Sequence, residues 1–116
     1  MNHEQLLRIL VDLGIKRLDA EVYLYLATMG PKKGRAVSNE LKINKTQLYR
    51  SLKELQSKGM VNSSSEYPAR FSAVLFDKFL DQLIRVKKEQ AKTLKATKNE
   101  LLSSWRSITE KDEEKS

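Results

Sequence analysis

The 116-residue chain has room for one small domain and one appended element, because domains usually run to about 100–150 residues, and large multi-domain enzymes are excluded. It carries 22 Lys and Arg against 15 Asp and Glu, a net charge of +7, so an anionic partner such as nucleic acid or a lipid surface must be weighed. With no cysteine and a single histidine, it lacks disulfides, thiolate metal ligands and thiol catalysis, and the composition argues against a zinc site.

In chain order, Leu6, Leu7, Leu10 and Leu13 recur at helical spacing, and Gly14 follows as a helix stop. A second helix is predicted from near Leu18-Asp19, with Asp19 capping or complementing its positive end. Val22, Tyr23 and Leu26 lie on one side of it, and Gly30-Pro31 ends it. Residues 34–41 predict a helix of about two turns that buries Ala36, Val37 and Leu41. Asn44 is a favoured N-cap for the next run, whose Leu48, Leu52 and Leu55 share a face, and Gly59 stops it after a basic last turn. Met60-Val61-Asn62 and residues 70–74 read as two short strands of a hairpin, with Pro68 near an edge. Residues 76–109 contain no Gly or Pro and predict one long helix of about 30 residues, near 45 Å.

That last helix has a seam stepping by fours and threes through Leu80, Ile84, Lys87, Ala91, Leu94, Lys98, Leu101, Trp105 and Ile108. Lys87 and Lys98 interrupt an otherwise apolar coiled-coil pattern. The remaining Leu80, Ile84, Ala91, Leu94, Leu101, Trp105 and Ile108 are the expected dimerisation residues, in a parallel or antiparallel pair. Residues 110–116 are charged and expected to be disordered. The chain therefore divides into a domain over 1–75, a dimerisation helix over 76–109 and a tail.

No apolar run reaches the roughly 18 residues that span a bilayer, and MNHEQLLRIL lacks the order of a signal peptide. The expectation is a cytoplasmic protein with no membrane contact. The carboxylates are scattered along helix exteriors, His3 sits at the chain end, and the glycines fit turn roles rather than a phosphate cradle. No catalytic residue, metal or cofactor is expected.

Charge is unevenly spread: residues 1–31 sum to −1, 32–58 to +6, 59–75 to 0, 76–109 to +4 and 110–116 to −2. The basic centre coincides with a short helix, a turn and a longer helix, followed by a hairpin, which is the order of a winged helix-turn-helix. The expected fold is thus mainly α with a small β-hairpin. In that arrangement one helix enters a major groove about 12 Å wide while the hairpin reaches along the backbone or minor groove. Thr46, Gln47, Arg50, Lys53 and Glu54 lie opposite Leu48 on the helix wheel. Arg50 suits guanine or phosphate, Gln47 adenine, Thr46 a base or phosphate, and Lys45 a phosphate. Lys32, Lys33 and Arg35 are phosphate candidates at the short helix. Arg70 is a wing candidate, or a partner for Glu66 across the hairpin. Tyr49 reads as core packing with its hydroxyl at the rim.

The strings LGIKRLDAEVYLYLATMGP, KINKTQLYRSLKELQSKGMV and YPARFSAV, over about residues 12–75, resemble the N-terminal DNA-binding domain of the TrmB-like archaeal transcriptional regulators. The resemblance implies a winged helix-turn-helix that binds promoter DNA, commonly as a dimer, with Lys45, Thr46, Gln47 and Arg50 at recognition-helix positions. Two departures stand out. Lys42 occupies a turn where that family often has glycine, and a Cβ there is costly if φ is positive. Many members continue into a sugar-binding domain, and none is expected here, so sugar sensing is not carried over.

The expected function is homodimeric, sequence-specific binding of double-stranded DNA to regulate transcription. A weakly specific architectural protein that coats DNA, and a winged helix that docks on another protein, are the competing readings.

Overall fold

The computed structural model describes residues 1–114, with side chains described through residue 110. Its elements are α1 (His3–Asp12), α2 (Arg17–Met29), β1 (Lys32–Lys33), α3 (Gly34–Leu41), α4 (Lys45–Ser57), β2 (Val61–Ser63), β3 (Arg70–Ala73) and α5 (Phe76–Glu114). Helices dominate, and the antiparallel strands form a small sheet in the order β1-β3-β2. The chain divides into two compact units, Met1–Phe79 and Leu80–Ser116. The first is a winged helix-turn-helix, with α3 and α4 as the helix pair and β2–β3 as the wing.

Local sequence explains most of the element boundaries. At α1, Gln5 N–H donates to the Asn2 side chain and Gln5 returns the bond to Asn2 N–H, at 2.8 and 2.9 Å, which satisfies two otherwise orphaned donors. The same reciprocal cap opens α4, where Asn44 and Gln47 are joined by bonds of 2.8 and 3.3 Å. At the far end of α4, Gly59 takes φ +73°, and Met60 N–H reaches back 2.9 Å to Leu55 O. That bond turns the chain directly into β2.

The core of the first unit gathers Leu7, Leu10, Val22, Tyr23, Leu26, Val37, Leu48, Leu52, Leu55, Met60, Phe71 and Phe79. Burying each of these large apolar side chains contributes about 1.5–3 kcal/mol relative to exposure. Tyr23 sits at the junction with α5: its ring lies 6.2 Å from Phe76 and 6.4 Å from Phe79, and its hydroxyl donates to Val74 O at 2.7 Å. Burial, with the nearby Asp77 charge, holds the Tyr23 hydroxyl above the ordinary tyrosine range.

Five sequence expectations need correction. The two-stranded hairpin is a three-stranded sheet, because Lys32 and Lys33 pair with Phe71 and Arg70. Helix α2 begins at Arg17 with Lys16 as an N-cap that offers no side-chain bond. Asp19 lies in its first turn but is buried, accepting from Ser51 Oγ at 2.6 Å rather than capping. Ala36 is exposed, while Val37 is buried and Leu41 half-buried. The first unit runs to Phe79 rather than residue 75, since Phe76 and Phe79 complete the aromatic cluster on Tyr23. Finally, α5 spans 39 residues, about 58 Å, and stays helical through Glu114. Its terminal Glu and Lys are good helix formers, and no Gly or Pro interrupts them. Of the tail expected to be disordered, residues 115–116 lie outside the described residues. No helix among the described residues is long and apolar enough to cross a membrane.

Candidate nucleic-acid interface

Helix α4 is held from behind by Leu48, Leu52 and Leu55, which are fully buried, so its opposite face is committed to solvent. Lys45, Thr46, Gln47, Arg50 and Lys53 are all exposed there. The buried Ser51 Oγ–Asp19 bond ties the middle of α4 to α2 and fixes the helix about its own axis. Glu54, the one carboxylate on this face, is half-buried and lies 3.8 Å from Lys58, which draws it away from the cations nearer the helix start.

The turn before α4 sets how α3 meets it. Lys42 adopts φ 55° and ψ 45°, and Ile43 N–H donates to Ser38 O at 3.1 Å, while Ser38 Oγ donates to Ile43 O at 2.5 Å. No acidic residue lies in the first turn of either α3 or α4. The partial positive charge of a helix start is therefore reinforced by lysine at α4 rather than cancelled.

Between the starts of α3 and α4 and the wing lies a groove of about 630 Å³. Lys33, Arg35 and Lys45 line it together with Ser38, Gly34, Leu48 and Tyr49, and Tyr67 and Pro68 from the β2–β3 connection close it. A Cβ at Gly34 would sit 2.7 Å from the Tyr49 hydroxyl, so a larger residue there displaces the Tyr49 ring from this position. Tyr49 in turn packs edge-on against Phe71 with ring centroids 6.1 Å apart, and it remains 45% exposed toward the groove. The expectation of core packing is met only at one ring edge, on Phe71; the residue as a whole is exposed in the groove wall rather than buried.

Cross-strand pairing adds a further concentration of charge. In the register of β1 on β3, Lys33 is directly opposite Arg70, and both are exposed. Like charges at such a position are destabilising. Arg70 N–H bonds Ser64 Oγ at 2.9 Å, and Ser64 N–H bonds Arg70 O at 2.8 Å, which fixes the backbone on which the guanidinium rides. Among the described residues the ion pairs are Arg17–Glu4, Arg17–Glu21 and Lys58–Glu54. None involves Lys32, Lys33, Arg35, Lys45, Arg50, Lys53 or Arg70. The alternative partner for Arg70, Glu66, is thus not engaged.

The nine sequence-named residues fall into three groups. Lys33, Arg35 and Lys45 converge on the groove, with Arg70 beside Lys33. Thr46, Gln47, Arg50 and Lys53 share the exposed face of α4. Lys32 stands apart, half-buried in β1 opposite Phe71. Gln47 carries a constraint that the helix wheel did not reveal: its Oε1 already accepts from Asn44 N–H, so bidentate pairing with adenine would cost that bond. Two groove residues, Ser38 and Tyr67, are not named by the sequence, and Pro68 is named there only as a hairpin-edge residue. Tyr67 is fully exposed, an aromatic ring presented to solvent beside three cations. An aromatic in a hairpin connection flanked by Pro was the available signal.

A basic helix start, an exposed recognition face and a wing that walls the same groove define a winged-helix nucleic-acid-binding domain. The family model described as "Sugar-specific transcriptional regulator TrmB" matches residues 10–77, and the chain belongs to that family. The match runs from the end of α1 through the wing to the first residues of α5. The family is one of DNA-binding transcriptional regulators, not of enzymes. No curated protein matches the chain.

Proposed function

We propose that this chain regulates transcription as a homodimer that reads promoter duplex DNA, with α4 in the major groove and β2–β3 as the wing. One observation carries the reading. Lys33 and Arg70 are held opposite each other at a cost in stability, next to Arg35 and Lys45, and no carboxylate among the described residues neutralises them. The missing anion is supplied by the phosphate backbone. Lys33, Arg35, Lys45 and Arg70 position the duplex, Lys32 and Lys53 add to the surrounding field, and Arg50 and Thr46 face the base edges. A two-fold dimer addresses a pseudo-palindromic operator whose half-sites are a whole number of helical turns apart, about 34 Å per turn.

The test is fluorescence anisotropy with two labelled duplexes, the upstream region of the chain's own gene and a scrambled control, from about 50 to 200 mM salt. A steep salt slope with roughly 1,000-fold preference for the upstream duplex supports a specific regulator that acts on its own promoter. Equal, salt-sensitive binding of both duplexes supports an architectural role instead. No binding at low salt overturns the reading and redirects the search to a protein partner.

A further inference from the structure

Among the described residues, the unit from Leu80 onward holds a single helix, and none of them covers its apolar stripe. Ile84, Leu94, Leu101, Trp105 and Ile108 each expose more than half of their surface. A second copy of this chain brings an equal stripe to cover it, a pairing that rests on the homodimer reading above, and the two seam lysines determine how two copies fit.

In a parallel, in-register pair every seam residue meets its own copy. Lys87 then faces Lys87 and Lys98 faces Lys98, two layers of like charge inside the stripe, on either side of the Ala91 and Leu94 layers. An antiparallel pair can match Ile84 with Ile108, Lys87 with Trp105, Ala91 with Leu101, and Leu94 with Lys98. In this register neither lysine meets a lysine. The Lys87 ammonium lies against the indole face, where the ring quadrupole attracts it, and the Lys98 stem covers Leu94 while its head reaches water. Small Ala91 opposite larger Leu101 lets the helices approach closely. The register leaves only Leu80 without a seam partner; a shift of one heptad in one direction sets Lys87 against Lys98, and in the other it strips Ile84 of its partner as well as Leu80.

We infer that two copies of the chain pair their α5 helices antiparallel in this register, with Lys87 of each copy on Trp105 of the other. The first turns of the two helices then lie at opposite ends of the rod.

Because the chain has no cysteine, introduced thiols are the only ones present. Ala91→Cys and Leu101→Cys full-length chains are prepared separately, then mixed, exchanged and oxidised. Neither alone is expected to give a disulfide-linked dimer, whereas the equimolar mixture cross-links about half of its chains, the share that random exchange places in mixed pairs. Cross-linking of Leu101→Cys by itself establishes the parallel arrangement and overturns the inference. So does a failure of the mixture to cross-link.

The exposed substitution Ser107→Cys, spin-labelled, keeps the test decisive if the seam variants do not fold. The antiparallel register separates the two labels by about 33 Å along the rod, from 22 residues at 1.5 Å each. A separation under about 20 Å, or a monomer in sedimentation of the unaltered chain, refutes the pairing. If the same samples still bind duplex DNA in the anisotropy assay, the pairing alone has failed and DNA binding stands.

Discussion

Lys42 ends α3 in the left-handed region, at φ 55° and ψ 45°, where a Cβ crowds the following carbonyl oxygen. Glycine carries no such penalty, so Lys42→Gly is expected to stabilise the fold by about 1 kcal/mol, read as a higher midpoint in urea with an unchanged slope. Ser51 behaves in the opposite way. Its hydroxyl is the partner of buried Asp19 Oδ1, and Asp19 Oδ2 has none among the described residues. Ser51→Ala strands the whole carboxylate and is expected to cost about 1–3 kcal/mol. Thermal melts of Ser51→Ala, Asp19→Ala and the double variant check this, because the second substitution should cost less once the first is made. Asp19 also marks a limit of sequence reading. Its position in the first turn of a helix has the pattern of a cap, and only the crossing of α2 with α4, 32 residues apart in sequence, gives it another use.

Between elements, the two unusual electrostatic arrangements have opposite consequences. Arg17 clamps α2 to α1 through Glu4, with bonds of 2.7 and 2.9 Å to its two carboxylate oxygens, and also meets Glu21 at 3.2 Å. The Arg17 hydrogen bonds hold the Glu4 carboxyl below its ordinary value of 4.5. A group depressed in the folded state stabilises at pH values above its unfolded pKa and loses that contribution as pH falls through the folded value. Stability near neutral pH therefore contains the clamp and stability well below pH 4.5 does not. Arg17→Met should flatten this acid limb in urea titrations across pH, and an unchanged limb would show that other carboxylates control it. The Lys33–Arg70 pair works the other way, since like charges directly opposite each other weaken a sheet. Arg70→Thr should leave the folded domain equal or greater in stability while weakening its hold on any duplex. A loss of both stability and binding would mean that Arg70 serves the fold.

At the scale of the whole molecule, what the sequence makes legible follows the range of the interactions. Helices α3 and α4 are readable because Asn44 and Gly59 act within a few residues of themselves, and the leucine spacing names the buried face. Strand β1 is not, because two lysines show no alternation and become a strand only by pairing with β3, some 38 residues later. The groove is half-readable for the same reason: charge alone names Lys33, Arg35 and Lys45, but Tyr67 arrives from a distant connection. The division between positioning and reading residues makes a last prediction. Lys33 sits in the groove with other cations and touches no sequence-bearing surface in the proposed docking, so Lys33→Ala should weaken specific and random duplexes alike. The slope of log affinity against log salt should flatten by about one unit. Arg50 lies on the exposed face of α4. If it forks onto a guanine, Arg50→Ala should cost about 1–3 kcal/mol on the preferred duplex, much less on the scrambled one, and relax a single base position. Equal losses on both duplexes would move Arg50 to the phosphate set and leave Thr46 as the principal candidate for base contact.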